Sequence, residues 1–325
     1  MLVFSIRRLE LRIVFMGSPE FAIPPLQSLI FNGHDIAAVY TRPDRPGGRG
    51  RMPLAPPVKK AALLWNLQVV QVPGFKSPEA VEQLTRFRPE AIIVAAFGQI
   101  LPQAVLDIPC YGCINIHPSL LPKYRGPSPV VSSILAGDDF AGVSVMKLDA
   151  GMDSGPVFSR AQVPILAHDT AGSLTSRLFK IGGWMVLDVL ANASVRTLFP
   201  EPQNAAEATY TREITKEDGR IDWNFAAVEI WRQVRAYQPW PEAFTFWQGK
   251  QVKIIEAAPL TAKELPEPGR VLALSPGENL AGAAVGIGTG DGVLGVLTVQ
   301  LEGKRAMAAE DFIKGHRDFI GSVLS

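Results

Sequence analysis

The chain contains little cysteine and little histidine. Two cysteines and four histidines occur among its 325 residues. Two cysteines exclude a disulfide framework and favour a reducing compartment, so we expect a cytoplasmic protein. No apolar run reaches the ~18–20 residues that a membrane-spanning helix needs. The sequence therefore predicts a protein without a membrane partner.

The chain also lacks an excess of either charge. Its 32 Lys and Arg residues against 31 Asp and Glu give a net charge of +1, so a nucleic-acid partner must be argued from local clusters. A hydrophobic content of 47% is ordinary for a globular protein, and the length predicts about two domains. Residues 1–10 are predicted to be a short extension rather than a signal peptide, because Glu10 and Arg12 interrupt the apolar residues.

Short apolar strands alternate with amphipathic helices over the first two hundred residues. Strands are predicted at 11–17, 35–41, 68–72, 90–97, 112–117, 143–149 and 155–165, and helices at 19–33, 57–66, 77–87, 128–136 and 170–191. This order predicts an α/β fold with a doubly wound, mostly parallel, Rossmann-like sheet. Ligands of such sheets lie beyond the carboxyl ends of the strands.

The composition changes at about 196–211, where prolines are frequent and apolar periodicity is absent. This segment is predicted to be a linker. A helix near 225–236 and short strands separated by Gly, Pro and Asp follow, which predicts a small antiparallel sheet or β-barrel. We therefore predict a catalytic domain at 1–203 and a C-terminal β-barrel domain at 204–325.

Two motifs suggest cofactors but have simpler interpretations. The stretch "GDGVLG" (290–295) matches a dinucleotide pattern, yet a strand-like segment follows it instead of a helix, so a hairpin turn is predicted. Cys110 and Cys113 form a C-x-x-C near His117, but no second pair supplies the ligands that zinc requires. No metal site is therefore predicted.

His117 ends a predicted buried strand, because Pro118 cannot continue the ladder. Residues two apart share one face of a strand, so Asn115 points the same way as His117. The stretch "LDAGMDSGP" (148–156) adds Asp149 or Asp153 on a loop between the next two strands. An amide donor can stabilise an oxyanion, and an imidazole held by a carboxylate can move a proton. These residues predict acyl transfer, whereas the simpler alternative is a histidine that only bonds the neighbouring loop.

A resemblance to a known family sharpens this hypothesis. "NIHPSLLPKYRG" (115–126) followed by "LDAGMDSG" (148–155) resembles the signature of the 10-formyltetrahydrofolate-dependent formyltransferases. The resemblance implies Asn115, His117 and Asp153 as the catalytic residues, with 10-formyltetrahydrofolate as the co-substrate. It also implies that the C-terminal barrel is OB-like. The residues that look like the walls of the folate pocket are Phe97, Gly98, Ile100, Ser119, Leu120, Leu121 and Pro122.

The insertion "TRPDRPGGRGRMPLAPPVKKAA" (41–62) resembles the tRNA-contacting loop of the family members that formylate methionyl-initiator tRNA. Residues 42–60 carry six basic residues against one acid, which suits a polyanionic acceptor. The resemblance therefore implies an enzyme that formylates the α-amine of methionyl-initiator tRNA, and we expect this enzyme to be a monomer. The expected tRNA contacts are Arg42, Arg45, Arg49, Arg51, Lys304 and Arg305.

Three alternatives remain within and outside this family. The chain is too long for the single-domain glycinamide ribonucleotide enzymes, but formyltetrahydrofolate hydrolases and sugar-nucleotide amine formyltransferases stay open. A non-catalytic tRNA- or folate-binding protein is the alternative of another class. One departure from the expected pattern is that residues 207–325 hold 13 basic and 16 acidic residues. The C-terminal domain therefore has no basic excess of its own.

Overall fold

The computed structural model describes residues 10–47, 52–194, 198–262, 264–275, 277, 279 and 281–325. The chain forms two compact units. The first comprises Met1–Pro129, Phe140–Pro164 and Thr175–Arg212, and the second comprises Val130–Asp139, Ile165–Leu174 and Glu213–Ser325.

A seven-stranded sheet forms the centre of the first unit, in the order β5-β2-β1-β6-β7-β8-β9. The strands of this unit are β1 (Arg12–Gly17), β2 (Asp35–Thr41), β3 (Arg45–Gly47), β4 (Met52–Leu54), β5 (Val69–Gln71), β6 (Ala91–Ala95), β7 (Cys113–His117), β8 (Phe140–Lys147) and β9 (Val157–Pro164). The pairs from β5 to β7 are parallel, while β7–β8 and β8–β9 are antiparallel. The predicted mostly parallel sheet is confirmed.

Helices cover both faces of this sheet. The α-helices within the described residues are α1 (Ile23–Phe31), α2 (Pro57–Leu64), α3 (Pro78–Arg86), α4 (Gln103–Leu106), α5 (Pro129–Ala136), α6 (Ala171–Ser194), α7 (Ala227–Ala236) and α8 (Ala309–Gly315). On one face, Leu84 of α3 and Val105 of α4 belong to the apolar cluster of the strands. On the other face, α6 packs so closely on β7 that a Cβ at Gly182 would lie 2.4 Å from Ile116 Cγ2. The sheet is therefore doubly wound, as predicted.

Two features of the first unit were not predicted. The short helix α4 follows β6, and the flanks of the basic insertion pair as an antiparallel hairpin of β3 and β4. The Pro- and Gly-rich composition of the insertion favoured an irregular loop. Within the described residues, no helix has both the length and the apolar character that crossing a membrane requires.

The second unit is built on an antiparallel sheet in the order β10-β11-β14-β13-β12, with β15 beside β14. Its strands are β10 (Ala243–Trp247), β11 (Lys250–Leu260), β12 (Val271–Ala273), β13 (Val285–Gly288), β14 (Val293–Leu301) and β15 (Met307–Ala308). Phe246 of β10 and Ser325 exchange two backbone hydrogen bonds, and Val271 N–H of β12 donates to Ser322 O at 2.9 Å. Residues 321–325 thus join the two outer strands and close the sheet into a barrel.

The barrel interior is filled by aromatic and β-branched side chains. Trp223, Trp247, Phe312 and Phe319 are each no more than 5% exposed and belong to one cluster. Because aromatic side chains bury large areas, they supply much of the apolar contact that a small barrel needs. The antiparallel strands β13 and β14 end at Gly288 and begin at Val293, so the stretch 290–295 covers the turn between them and the start of β14, which confirms the predicted hairpin turn.

Candidate active site

The strand β7 brings Asn115 and His117 to the carboxyl-end edge of the sheet. All five residues of β7 are buried, because the strand lies in the interior of the sheet between β6 and β8. Asn115 pairs with Val94 on the parallel side, and His117 pairs with Ser144 on the antiparallel side. The two side chains share a face, and only 9% of Asn115 and 4% of His117 are exposed.

The imidazole of His117 lies between two oxygen atoms. Its Nε2 is 3.0 Å from the carbonyl oxygen of Tyr124, and its Nδ1 is 3.6 Å from Oδ2 of Asp153. A carbonyl oxygen can only accept, so Nε2 carries a proton in this arrangement. Nδ1 therefore faces the carboxylate. The structure thus places an acid on one side of the imidazole and fixes the orientation of the ring from the other side.

Asp153 rather than Asp149 faces the imidazole. The backbone of Asp153 has φ of 49°, a left-handed conformation that few residues other than glycine, asparagine and aspartate adopt. Its Oδ2 accepts the backbone N–H of Gly126 at 2.8 Å. The carboxylate of Asp149 instead accepts bonds from Ser154 Oγ and Gly151 N–H of its own loop. The two acids of "LDAGMDSG" therefore have different partners: Asp153 faces His117, whereas Asp149 bonds its own loop.

The carboxamide of Asn115 makes no hydrogen bond to any residue that the structure describes. A buried amide is normally paired, because leaving its donors unsatisfied costs about 1–3 kcal/mol. Its donors are therefore free for a ligand at the edge of the sheet. An amide beside a charged or neutral imidazole can stabilise a developing oxyanion.

The residues predicted for the folate pocket lie in two groups. Phe97, Ser119 and Leu121 are buried, at 1%, 3% and 2% exposure. Ser119 Oγ donates to Lys123 O at 2.6 Å, so this hydroxyl holds its own loop. The other predicted residues, Gly98, Ile100, Leu120 and Pro122, are exposed or half-buried, and Ile100 is 86% exposed.

The "SLLP" segment is fixed from β8 and β9. Ser144 Oγ donates to Ser119 O at 2.7 Å and accepts the N–H of Leu121 at 3.1 Å. Arg160 Nε donates to Leu121 O at 2.8 Å. Neither Ser144 nor Arg160 stands out in the sequence, because their role depends on the antiparallel pairing of β8 and β9.

The basic insertion begins with an arginine that contacts the segment after β6. Arg42 Nε donates to Phe97 O at 3.2 Å, and its Nη2 donates to Gly98 O. The guanidinium is therefore bonded to backbone carbonyls of the predicted folate wall. Arg45 is exposed at the start of β3. Arg49 and Arg51 lie outside the described residues.

Polar side chains tie the two ends of the insertion together. Lys59 Nζ lies 2.9 and 2.8 Å from the two carboxylate oxygens of Asp44 and 2.9 Å from Gln71 Oε1. Gln71 Nε2 in turn donates to Asp44 Oδ1 and to Arg42 O. The bonds from Lys59 and Gln71 hold the pKa of the Asp44 carboxyl below its usual value. Two of the charges counted in the insertion, on Asp44 and Lys59, thus pair with each other.

Lys304 and Arg305 lie in the second unit, in the turn between β14 and β15. Both side chains are exposed, and neither forms an ion pair with any residue in the described ranges. Free exposed cations of this kind are available to phosphate groups.

The C-x-x-C motif places its two thiols in different surroundings. Cys113 is buried in the sheet, whereas Cys110 is exposed. Across the described part of the chain, no group of three or more His, Cys, Asp or Glu side chains is arranged to hold a metal ion. Burial raises the pKa of the Cys113 thiol to about 12.

We expect iodoacetamide at pH 8 to alkylate Cys110 and to spare Cys113 in the folded protein. The thiolate is the reactive form, and a thiol with a pKa about four units above the solution pH is almost entirely protonated. Mass spectrometry of the peptides measures both sites, and unfolding in guanidinium should expose both thiols as the control. Equal alkylation rates in the folded protein would contradict the burial of Cys113.

Some residues at this site carry no signal in the sequence. Gln203 and Thr209, within the predicted linker, bond the backbone of the loops on either side of His117. Residues 201–211 also pair with β9 and with Arg125 through isolated bridges. This segment therefore belongs to the first unit, although its composition is typical of a linker.

Comparison with known families decides the class of this site. The family model described as "Formyl transferase" matches residues 11–190, and the model described as "Formyl transferase, C-terminal domain" matches residues 213–317. The chain belongs to the formyltransferase family. It is 48% identical over 312 residues to a methionyl-tRNA formyltransferase of Dehalococcoides mccartyi, which covers 96% of this chain and 98% of that one. Formyltransferases use 10-formyltetrahydrofolate as the formyl donor.

Solved structures share the fold at low sequence identity. HypX from Aquifex aeolicus in complex with tetrahydrofolic acid aligns with a TM-score of 0.65 at 20% identity, over 96% of this chain and 48% of that one. The sugar 3N-formyl transferase WlaRD, solved with dTDP and 5-N-formyl-THF, aligns with a TM-score of 0.62 at 20% identity, over 91% and 100% of the two chains. The sugar formyltransferases are thus distant structural relatives of this formyltransferase.

Proposed function

We propose that this formyltransferase moves the formyl group of 10-formyltetrahydrofolate to the α-amine of methionyl-initiator tRNA. The observation that carries the proposal is the cluster of the buried Asn115 and His117 with the half-buried Asp153, in a chain 48% identical over 96% of its length to a methionyl-tRNA formyltransferase. The product is the formylated aminoacyl-tRNA that begins translation. We expect the enzyme to act as a monomer in the cytoplasm.

In the proposed mechanism the neutral amine attacks the formyl carbon. The new C–N bond forms as the C=O electrons move to oxygen, and the tetrahedral intermediate carries an oxyanion. The free donors of Asn115 and a protonated His117 stabilise that charge. As the C–N10 bond breaks, N10 gains a proton and the attacking nitrogen loses one. His117 and Asp153 together mediate this exchange, so no covalent enzyme intermediate is needed.

We propose that the folate lies against the loops after β6 and β7. The exposed Ile100 and the half-buried Leu120 and Pro122 offer apolar contact to the flat rings of the co-substrate. Gly98 exposes its backbone beside them. Phe97, Ser119 and Leu121 are buried, so in this proposal they support the residues that contact the folate and do not touch it with their own side chains.

Phosphate contacts are proposed for Arg45, Arg49 and Arg51 in the insertion, and for Lys304 and Arg305 in the C-terminal barrel. Arg42 is assigned a different part in acceptor binding, because its guanidinium bonds the carbonyls of Phe97 and Gly98. It would hold the base of the insertion beside the folate wall. The C-terminal barrel would bind the tRNA through its few exposed cations.

The decisive experiment is formylation of charged initiator tRNA with 10-formyltetrahydrofolate as the donor. We expect turnover with methionyl-initiator tRNA and none with UDP- or dTDP-linked amino sugars. Formylation of an amino sugar with indifference to tRNA would assign the chain to the sugar-nucleotide enzymes. Absence of any turnover, with retained tRNA or folate binding, would indicate a non-catalytic binding protein.

Replacing Arg49 with alanine should weaken use of the tRNA acceptor more than it weakens kcat. Each phosphate contact contributes roughly 0.7–0.9 to the slope of log K against log salt, so the slope should fall by about that amount. KM for tRNA measured from 50 to 200 mM salt tests this. Lys76→Ala is the control, because Lys76 is an exposed cation outside the insertion. An unchanged slope in the Arg49 variant would contradict the proposed contact.

A further inference from the structure

Residues 201–211 form a strap across the first unit. Glu201 and Val157 of β9 exchange two backbone hydrogen bonds, each 2.8 Å long. At the other end, Arg125 N–H donates to Thr209 O at 2.9 Å, and Thr211 N–H donates to Arg125 O at 2.8 Å. The strap is therefore fastened both to the strand after the Asp153 loop and to the loop after "SLLP".

The strap contacts the acid that faces His117. Gln203 Nε2 donates to the backbone carbonyl of Asp153 at 2.8 Å and to that of Gly155 at 2.6 Å. Because Asp153 has φ of 49°, its loop needs external bonds to hold this conformation. The Gln203 amide supplies two of them, on either side of Ser154.

A buried arginine fixes the Gln203 amide. Arg125 is 4% exposed, and its Nε and Nη2 donate to Gln203 Oε1 at 3.1 and 2.8 Å. Its Nη1 donates to Tyr210 Oη at 3.2 Å. The two bonds to one oxygen leave only the amide nitrogen of Gln203 to face the Asp153 loop.

The same strap contacts the second acceptor of the imidazole. Tyr124 N–H donates to Thr209 Oγ1 at 2.8 Å, and Tyr124 O receives His117 Nε2. Tyr124 itself has φ of 58°, so its orientation also depends on outside contacts. The two oxygens beside the imidazole belong to Asp153 and Tyr124. Gln203 bonds the backbone of Asp153, and Thr209 bonds the backbone of Tyr124.

We infer that Gln203 and Thr209 are positioning residues of formyl transfer, which hold Asp153 and Tyr124 on either side of His117. This inference rests on the proposed function of the site. Neither residue touches the reacting atoms, so their loss should lower kcat and leave the binding of both substrates nearly unchanged. Loss of a residue that orients a metal ligand typically costs about 10–100-fold in activity, and we expect a loss of that order for a residue that orients the partners of His117.

The test uses Gln203→Glu in the full chain. A glutamate still accepts from Arg125, but it cannot donate to the carbonyls of Asp153 and Gly155. We expect kcat to fall at least about 10-fold, with both KM values within about 3-fold of wild type. The melting temperature should stay within about 2 °C. Gln162→Glu is the matched control, since Gln162 is exposed on β9, and it should behave as wild type.

Two further measurements distinguish a positioning role of Gln203 and Thr209 from an effect on folding and from a failure of the proposed function. Imidazole ¹⁵N NMR signals of His117 should shift in Gln203→Glu and not in Gln162→Glu, whichever acceptor the enzyme uses. If Gln203→Glu also lowers the melting temperature, Thr209→Val decides, because it removes the Tyr124 contact at an exposed position. A kcat within twofold of wild type in the folded variants, with an unshifted His117 signal, overturns the inference. An inactive wild-type enzyme overturns the proposed function instead.

Discussion

Replacing His117 or Asn115 with alanine is expected to lower kcat by about 10²-fold or more, with little change in tRNA affinity. Removal of one oxyanion donor typically costs that much, about 2.7–4 kcal/mol of transition-state stabilisation. Both side chains are at least nine-tenths buried on one face of β7, where a hydrogen bond is stronger than in water. The free carboxamide of Asn115 has no structural bond to lose among the described residues, so the loss should be in turnover.

Steady-state kinetics with charged initiator tRNA measure this effect, and a tRNA-binding assay separates it from acceptor affinity. Asn115→Asp keeps the shape of the side chain but removes its donors, so it should lose at least as much activity as Asn115→Ala. His168→Ala is the control for histidine removal, because His168 is exposed and far along the chain from β7. Turnover close to wild type in either alanine variant would refute the assigned roles.

Replacing Gly155 with alanine should destabilise the first unit and reduce activity at once. A Cβ at this position would lie 1.9 Å from the backbone carbonyl oxygen of Lys147 and 3.2 Å from Asp149 N. Because the obstructing atoms belong to the backbone, they cannot rotate away as a flexible side chain would. Overpacking of this kind costs about 1–3 kcal/mol and occasionally more.

The clash lies at the base of the loop that carries Asp153. Gly155 O also accepts from Gln203, so a shift of this backbone disturbs both the loop and the strap. We expect the melting transition of the first unit to fall by about 5–10 °C, and kcat to fall with it. Gly74→Ala is the matched control, since a Cβ there meets only Gln99 Oε1 at 3.9 Å. A melting temperature within about 2 °C of wild type for Gly155→Ala would contradict the steric argument.

The two predictions distinguish a loss of catalytic activity from a loss of stability. His117 and Asn115 lie on a strand that pairs with β6 on one side and with β8 on the other, so truncating these side chains should leave the backbone of the sheet unchanged. Asp153 sits on a loop whose conformation depends on Gly126, Gln203 and the close approach at Gly155. We therefore expect Asn115 and His117 variants to lose activity alone, and Gly155→Ala, which brings a Cβ against the backbone of Lys147, to lose stability as well.

Local sequence patterns predicted most of the regular structure. The alternation of apolar strands and amphipathic helices places β7 and its neighbours correctly, since burial on both faces of a parallel sheet requires continuous apolar runs. Strand alternation also places Asn115 and His117 on one face. The hairpin at 290–295 follows from the strand-like segment behind it. The short hairpin of β3 and β4 was not predicted, because a basic segment rich in Pro and Gly has no strand periodicity.

What the sequence determined by itself is the strand that carries Asn115 and His117, the fold class, and the resemblance that points to formyl transfer. These features can be deduced from the sequence because they depend on residue types and spacing within short stretches of the chain and on the order of those stretches. Only the tertiary structure decided which atoms surround the imidazole, that Arg42 bonds the carbonyls of Phe97 and Gly98, and that Gln203 bonds the backbone of Asp153. Such contacts join residues as far as 85 positions apart, as between Tyr124 and Thr209. The periodicity of the sequence does not predict these contacts, because they form only when separate loops meet at the edge of the sheet.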